Sequence, residues 1–358
     1  MVTILAVIFV LGVLIFIHEA GHFLAAKLLK IRVERFSLGY PPRIVGRKIG
    51  ETDYCISAIP FGGYVKIAGM VDESLDKETL KKSPSPWEFR SRPFIQKFLV
   101  LSAGPLMNLV FAFLVFVAVN WMVGVEEKNG VYIGNVLKGK PAERAGLMSG
   151  DRIVAVDGKR IDSWEDLTEI ISVSSGRELV IEYLRGDSLH RAKIVPEKEK
   201  IKNLGESVEV GRIGISSLGP VKRKKVGVFA SIYYGGVDTW KLTKLTFVTI
   251  YRLITGHETI RSLAGPIGIA KMAGESARLG IGPLILFMAL LSLNLAVLNL
   301  LPFPALDGGH ILIVGIEGVI RREIPLRVRV VIQQIGMILL LALMIFVVYN
   351  DILRVTGH

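Results

Sequence analysis

The chain of 358 residues has a single cysteine, Cys55, so no internal disulfide can form. Aromatic residues contribute only 8% and charged residues 21% of the composition, whereas hydrophobic residues contribute 51%. The mean hydropathy of +0.49 excludes an ordinary soluble protein. Residues 1–17 carry no charged side chain, and no small-residue cleavage site follows them. We therefore expect the first segment to be a retained membrane span and not a cleaved signal.

Four apolar segments are long enough to cross a bilayer, which takes about 20 residues each. They cover roughly residues 1–26, 98–124, 283–303 and 330–350. Lys and Arg cluster after the first segment, before the second and between the last two, which predicts that these regions face the cytoplasm. The basic run at 222–225 opposes this topology, but it lies far from any span end. We expect the net charge of +12 to favour anionic lipid headgroups over nucleic acid.

A polar motif, His18-Glu19-Ala20-Gly21-His22, lies inside the first apolar segment. Three such side chains are costly in lipid unless they serve a site. On a helix, residues i and i+4 share a face, so His18 and His22 can bind one Zn²⁺ together. Glu19 then lies beside the metal, where the general base for a zinc-activated water belongs. The motif predicts a metalloprotease with an active site in the membrane.

A third zinc ligand is expected near the end of the third span, because catalytic zinc usually takes three protein ligands plus water. This span ends in a polar stretch that contains two prolines and the run Asp307-Gly308-Gly309-His310. Irregular backbone at membrane depth is tolerated where it lines a cavity. Asp307 is the best remaining ligand, His310 is its rival, and a helix cap is the structural alternative for Asp307.

Two other regions have a strand-like pattern. Residues 31–67 alternate between apolar and polar side chains with Pro and Gly breaks, which predicts a small antiparallel sheet beside the first span. This sheet is either a soluble hairpin or a sheet that offers a free edge to a substrate strand. Residues 126–200 alternate between strands and helices, which predicts a soluble α+β module of roughly 75 residues.

The motifs together resemble the site-2 protease family, in particular its bacterial RseP-type branch. The resemblance rests on the motif at 18–22 paired with the stretch from Asn299 to His310. Pro60-Phe61-Gly62-Gly63-Tyr64-Val65-Lys66 and Ala103-Gly104-Pro105-x-x-Asn108 also match that branch. The soluble module resembles its PDZ domain, with room for one such domain and not two.

The resemblance implies a zinc-dependent endopeptidase that cleaves single transmembrane helices in regulated intramembrane proteolysis. Its substrates would be membrane proteins already trimmed outside, such as anti-sigma factors or remnant signal peptides. One Zn²⁺ per chain would be held by His18, His22 and Asp307, with Glu19 as the base. The implied substrate contacts are Gly63, Tyr64, Val65, Asn299, Pro302 and Pro304, and the implied PDZ peptide-binding residues are Gly130, Val131, Tyr132 and Ile133.

We therefore predict a polytopic α-helical membrane protein with four transmembrane helices, a small membrane-associated β-sheet and an inserted extracytoplasmic α+β PDZ domain. The predicted parts are an N-terminal membrane half (1–124), the PDZ domain (125–210), an amphipathic interfacial segment (211–282) and a C-terminal membrane half (283–358). The expected location is the bacterial inner (plasma) membrane, with both termini outside and the active site toward the cytoplasm. The expected partners are transmembrane substrates and lipids, and not nucleic acid. The PDZ domain either binds trimmed C-termini or acts as a size filter.

Two other functions compete with proteolysis. In a membrane scaffold or receptor, the PDZ domain would bind C-terminal tails and the metal would be structural. A closed site with four ligands would favour that function, but only three good protein ligands are visible, which favours an open catalytic position. A zinc transporter would need several intramembrane carboxylates, and Glu19 is the clear one here.

Overall fold

The computed structural model describes residues 2–70, 84–126, 131–203, 206–217, 223–257 and 265–356. The chain forms two compact units. The first, called the helical unit, comprises Met1–Ala118, Ile232–Tyr251 and Ile260–His358. The second, called the strand-rich module, comprises Val119–Ser231 and Arg252–Thr259.

Four of the described helices are long and apolar enough to cross a membrane, which confirms the number predicted from the sequence. They are α1 (Val2–Leu28), α2 (Phe94–Val123), α7 (Ile281–Asn299) and the central part of α9 (Leu326–Thr356). Three further helices are α5 (Val228–Ile254), α6 (Pro266–Leu279) and α8 (Asp307–Ile320). The third span is shorter than predicted, because α7 ends at Asn299, before the two prolines.

An apolar core holds the helical unit together. Ala6, Val10 and Leu14 form a buried stripe along α1 at helical spacing. They pack with buried Leu284, Phe287 and Met288 of α7. Ala273 of α6 belongs to the same cluster, and α1 packs mainly against α6. The motif at 18–22 lies on the continuation of the buried stripe of α1.

The predicted sheet is formed by β1 (Val33–Ile49) and β2 (Thr52–Ile67), which pair antiparallel with several register shifts. Because both strands bend, Ser37 aligns with Tyr64 on one side and with Cys55 on the other. The first part of β1 is therefore internal. The last part of β2 has β1 on one side and no strand of the described chain on its outer side. This sheet contacts α1, as the sequence predicts.

The strand-rich module is built around one sheet with the strand order β11-β4-β5-β7-β8, in which β6 also pairs with β5. Its strands are β4 (Val131–Val136), β5 (Arg152–Val156), β6 (Lys159–Arg160), β7 (Leu179–Arg185), β8 (Ser188–Ile194) and β11 (Ile215–Ser217). Helices α3 (Pro141–Arg144) and α4 (Trp164–Val173) follow β4 and β6. Separate strand pairs are β9 (Glu197–Asn203) with β10 (Glu206–Arg212), and β3 (Val125–Glu126) with β12 (Arg223–Lys224).

The module has its own core. Alternate residues of its strands point inward and are fully buried, including Ile133, Ile153 and Ile181, and Leu167 of α4 covers them. Helix α4 begins with a capping box, in which Ser163 and Asp166 each accept a hydrogen bond from the other's backbone N–H. The predicted strands and helices of this region are confirmed, and the sheet extends beyond residue 210 to include β11.

Candidate metal centre

Three side chains from two distant parts of the helical unit converge on one point. His18 Nε2 lies 3.1 Å from Asp307 Oδ2, and His22 Nε2 lies 3.5 Å from Asp307 Oδ1. The two imidazole Nε2 atoms are 3.3 Å apart. A tetrahedral zinc ion with bonds of about 2.0–2.2 Å holds neighbouring ligand atoms about 3.3–3.6 Å apart. The residues present therefore fit a zinc ion, with three protein ligands.

Close approach of α1 and α2 shapes the histidine side of the site. A Cβ atom on Gly21 would overlap the carbonyl oxygen of Ala103, and one on Gly104 would overlap the His22 imidazole. Only glycine at both positions allows the helices to come this close. The glycines at 21 and 104 thus allow the buried side chain of His22 to lie directly against α2.

The connection between α7 and α8 positions Asp307 next to the two histidines. Helix α7 ends at Asn299, and α8 begins at Asp307, so Pro302 and Pro304 lie in the connection. The next two residues, Gly308 and Gly309, have no room for a Cβ atom because backbone carbonyls of the connection lie against them. Asp307 is in the first turn of α8, where the helix dipole favours a carboxylate.

His310 is outside this cluster. Its Nε2 atom lies 3.1 Å from the side-chain nitrogen of Gln333 on α9. It also lines a cavity of about 20 Å³ together with Arg329 and Gln333. The described metal-ligand group contains His18, His22 and Asp307, so the structure favours Asp307 over its rival as third ligand.

Glu19 lies between the cluster and the sheet. A Cβ atom on Gly63 would be 3.3 Å from Glu19 Cγ, which places this side chain against the outermost segment of β2. Tyr64 accepts a hydrogen bond from Arg35, and the Val65 side chain is buried in the core.

Asn299 also reaches the cluster. Its Nδ2 atom lies 3.5 Å from His18 Nε2, although it belongs to the last turn of α7. The structure thus brings Asn299 to the ligand atoms and Glu19 to Gly63. Pro302 and Pro304 shape the turn behind Asp307, and a Cβ atom on Gly336 of α9 would press on Pro304.

Three of the four predicted PDZ peptide-binding residues form the start of β4. Gly130 lies outside the described residues. Val131, Tyr132 and Ile133 belong to β4, which pairs with β5 on one side and with β11 on the other. Strand β11 aligns with the later part of β4, from Ile133 to Val136, whereas Val131 and Tyr132 align with β5. Their role in peptide binding stays a prediction. The end strand of the sheet on this side is β11 itself.

Asn108 also reaches the site, although the sequence analysis names it only as the last residue of the Ala103-Gly104-Pro105-x-x-Asn108 stretch. It is fully buried on α2, and its Nδ2 atom lies 3.3 Å from His18 Nδ1. The corresponding atom of the other histidine, His22 Nδ1, lies 2.8 Å from the carbonyl oxygen of Val100. The signal was present in the Gly-Pro-x-x-Asn stretch, but only the crossing of α1 and α2 reveals the contact.

A family model for peptidase family M50 matches residues 6–343. The chain belongs to peptidase family M50. The predicted resemblance to the site-2 proteases is thereby confirmed. Family membership and four apolar helices also identify a membrane protein.

The relatives of this M50 peptidase are named for the same chemistry. It is 36% identical to a candidate zinc metalloprotease of Clostridium perfringens, over 95% of each chain. It is 35% identical to another from a Nostoc species, over 99% of this chain and 97% of the relative. Together with the family match, these names support a zinc-dependent metalloprotease. A PDZ domain of an SdrC-like protein from Listeria monocytogenes is 28% identical over 25% of this chain and 87% of its own, with a TM-score of 0.21.

Proposed function

We propose that this M50 peptidase cleaves single transmembrane helices at one zinc ion per chain, held by His18, His22 and Asp307. The observation that carries the proposal is the convergence of these three ligand atoms, two of which belong to the helix that also carries Glu19. Three protein ligands leave the fourth tetrahedral position for water or substrate, which is the arrangement of catalytic zinc. When bound, the ion supplies Lewis-acid polarisation of the scissile carbonyl and an activated water.

Glu19 is the general base in this mechanism. It follows His18 directly, so its side chain leaves the helix on a different face from the ligands and points toward the sheet edge. A carboxylate there can take a proton from the attacking water and return it to the leaving amine. The amide of Asn299 lies 3.5 Å from His18 Nε2, which supports a role for Asn299 in donating a hydrogen bond to the substrate backbone.

The substrate must be unwound before cleavage, because the peptide bonds of a transmembrane helix are hydrogen-bonded and shielded. The outer edge of β2 near Gly63, Tyr64 and Val65 supports this step. Strand addition uses main-chain N–H and C=O groups, and a sheet edge with no described neighbour offers them. The closeness of Gly63 to the Glu19 side chain supports an added strand that lies next to the base.

The strand-rich module is proposed to act on substrates as a PDZ domain outside the cytoplasm. The end position of β11 among the described strands, and the alignment of Val131 and Tyr132 with β5 alone, support this side of the sheet as the place where a trimmed C-terminus would pair. The location proposed is the bacterial inner membrane with the metal centre toward the cytoplasm. Transmembrane proteins trimmed outside, such as anti-sigma factors or remnant signal peptides, are the proposed substrates. We keep the predicted boundaries 1–124, 125–210, 211–282 and 283–358 for the four parts, except that β11 (Ile215–Ser217) joins the sheet of the module.

The test compares the purified full-length protein with Glu19→Gln in metal analysis and in cleavage of a model transmembrane peptide. Gln keeps the shape of Glu but cannot accept the proton, so we expect zinc retention with a fall of at least about 10²-fold in rate. Glu51→Gln is the matched control, because Glu51 pairs with Lys27 at the surface. Zinc binding by the wild type without any cleavage would favour the scaffold function instead.

A further inference from the structure

The amide of Asn108 has an unusual environment. Its Nδ2 atom faces His18 Nδ1 at 3.3 Å. Its Oδ1 atom is buried and has no hydrogen-bond partner among the described residues. An unpaired buried carbonyl oxygen costs about 1–3 kcal/mol, so a side chain in this position needs a reason to be there.

The chemistry of His18 supplies that reason. If Nε2 of a neutral imidazole binds a metal, the proton must be on Nδ1, which then donates a hydrogen bond. In the orientation described, the amide NH₂ and the Nδ1–H would be two donors face to face. Turning the terminal amide of Asn108 by 180° places Oδ1 against Nδ1, and this single change gives both atoms a partner.

His22 provides an internal comparison. Its Nδ1 atom lies 2.8 Å from the carbonyl oxygen of Val100, which is an acceptor, so its Nε2 atom is free to bind the metal. Val100 and Asn108 both belong to α2. One helix would therefore provide the acceptor for each of the two metal-binding imidazoles.

We propose that Asn108 is a positioning residue that accepts the Nδ1–H of His18 and thereby holds this imidazole in the metal-binding tautomer and orientation. The proposal rests on the zinc site proposed above. Asn108 is itself fixed in place, because its backbone carbonyl accepts a hydrogen bond of 2.9 Å from Ser292 of α7. Partners of this kind orient the ring and raise the basicity of the ligating nitrogen.

The test measures the zinc dissociation constant of the full-length protein by competition with a chromophoric chelator. Asn108→Leu keeps the approximate shape but removes the acceptor, and we expect a dissociation constant raised by about 10–100-fold. Asn108→Asp keeps an acceptor at the same place, and we expect it to bind zinc close to the wild-type level. Asn120→Leu makes the same exchange elsewhere on α2 and should leave zinc binding unchanged.

The aspartate variant separates positioning from packing. A buried carboxylate with no donor would be more costly than the amide, so Asp can restore zinc binding only if His18 Nδ1 donates to it. If Asn108→Leu binds zinc as tightly as the wild type, or only lowers the melting temperature of the metal-free protein, the positioning role is wrong. If the wild type binds no zinc, the proposed function fails as well, so the two failures are distinguishable.

Discussion

Gly63→Ala is the change that most directly tests the link between the sheet edge and the catalytic base. The added methyl carbon would lie 2.9 Å from the Ser37 carbonyl oxygen, 3.0 Å from Ile15 Cγ2 and 3.3 Å from Glu19 Cγ. Ordinary contact for a Cβ atom begins at 3.4 Å, so the strand must move by about 0.5 Å relative to β1 or α1.

The expected effect follows from that displacement. A misplacement of 1 Å near reacting groups costs about 10²-fold in rate, so half of it corresponds to roughly 10-fold, or about 1.4 kcal/mol. No zinc ligand is touched, and we expect full zinc content. The measurements are metal analysis and the rate of cleavage of a model transmembrane peptide by the reconstituted protein.

Gly12→Ala is the matched control, because it makes the same exchange on α1 where a Cβ atom meets nothing within 4 Å. It should cleave at the wild-type rate. A wild-type rate in Gly63→Ala would refute the reasoning, since it would mean that neither the edge of β2 nor the position of Glu19 limits catalysis. An equal loss in both variants would refute it too, because the effect would then be general to alanine in this unit.

Three other predictions concern the metal, the topology and the module. Asp307→Ala should abolish cleavage and weaken zinc binding by more than roughly 10–100-fold, which is the loss expected when only the hydrogen-bond partner of a ligand is removed. Full activity in this variant would instead favour His310 as the third ligand. Val173→Cys should react with an impermeant thiol reagent in intact spheroplasts, because Val173 is 81% exposed and the native Cys55 is buried. Labelling only after lysis would mean that the module faces the cytoplasm. Burial opposes ionisation of Asp151, but hydrogen bonds from Arg185 and the Met148 N–H outweigh it and hold the pKa of Asp151 below its ordinary value. The ionised form therefore stabilises the fold above about pH 4, so Asp151→Asn should lower the melting temperature at pH 7, and the difference from wild type should shrink as the pH falls below about 4. A difference that is the same at pH 3 and pH 7 would contradict this assignment.

The features that were predictable from the sequence are local ones. The apolar length of α1, α2, α7 and α9 identified four candidate spans, because the thickness of a bilayer fixes how many apolar residues a helix needs. The i, i+4 spacing of His18 and His22 fixed a shared helix face, since the helical period is independent of what surrounds the helix. The alternation in β4, β5 and β7 identified strands for the same reason.

The neighbours of each element were decided only by the tertiary structure. No local pattern states that β11 pairs with β4, and the alignment of Ser217 with Ile133 appears only in the tertiary structure. The choice of Asp307 over His310 depends on how the turn after α7 aims two side chains that are three residues apart. The contact of Asn108 with His18 likewise depends on the crossing of α1 and α2. Periodicity is a property of the backbone, whereas contacts between distant residues arise from packing of the whole chain, and the geometry of this metal centre belongs to the second kind.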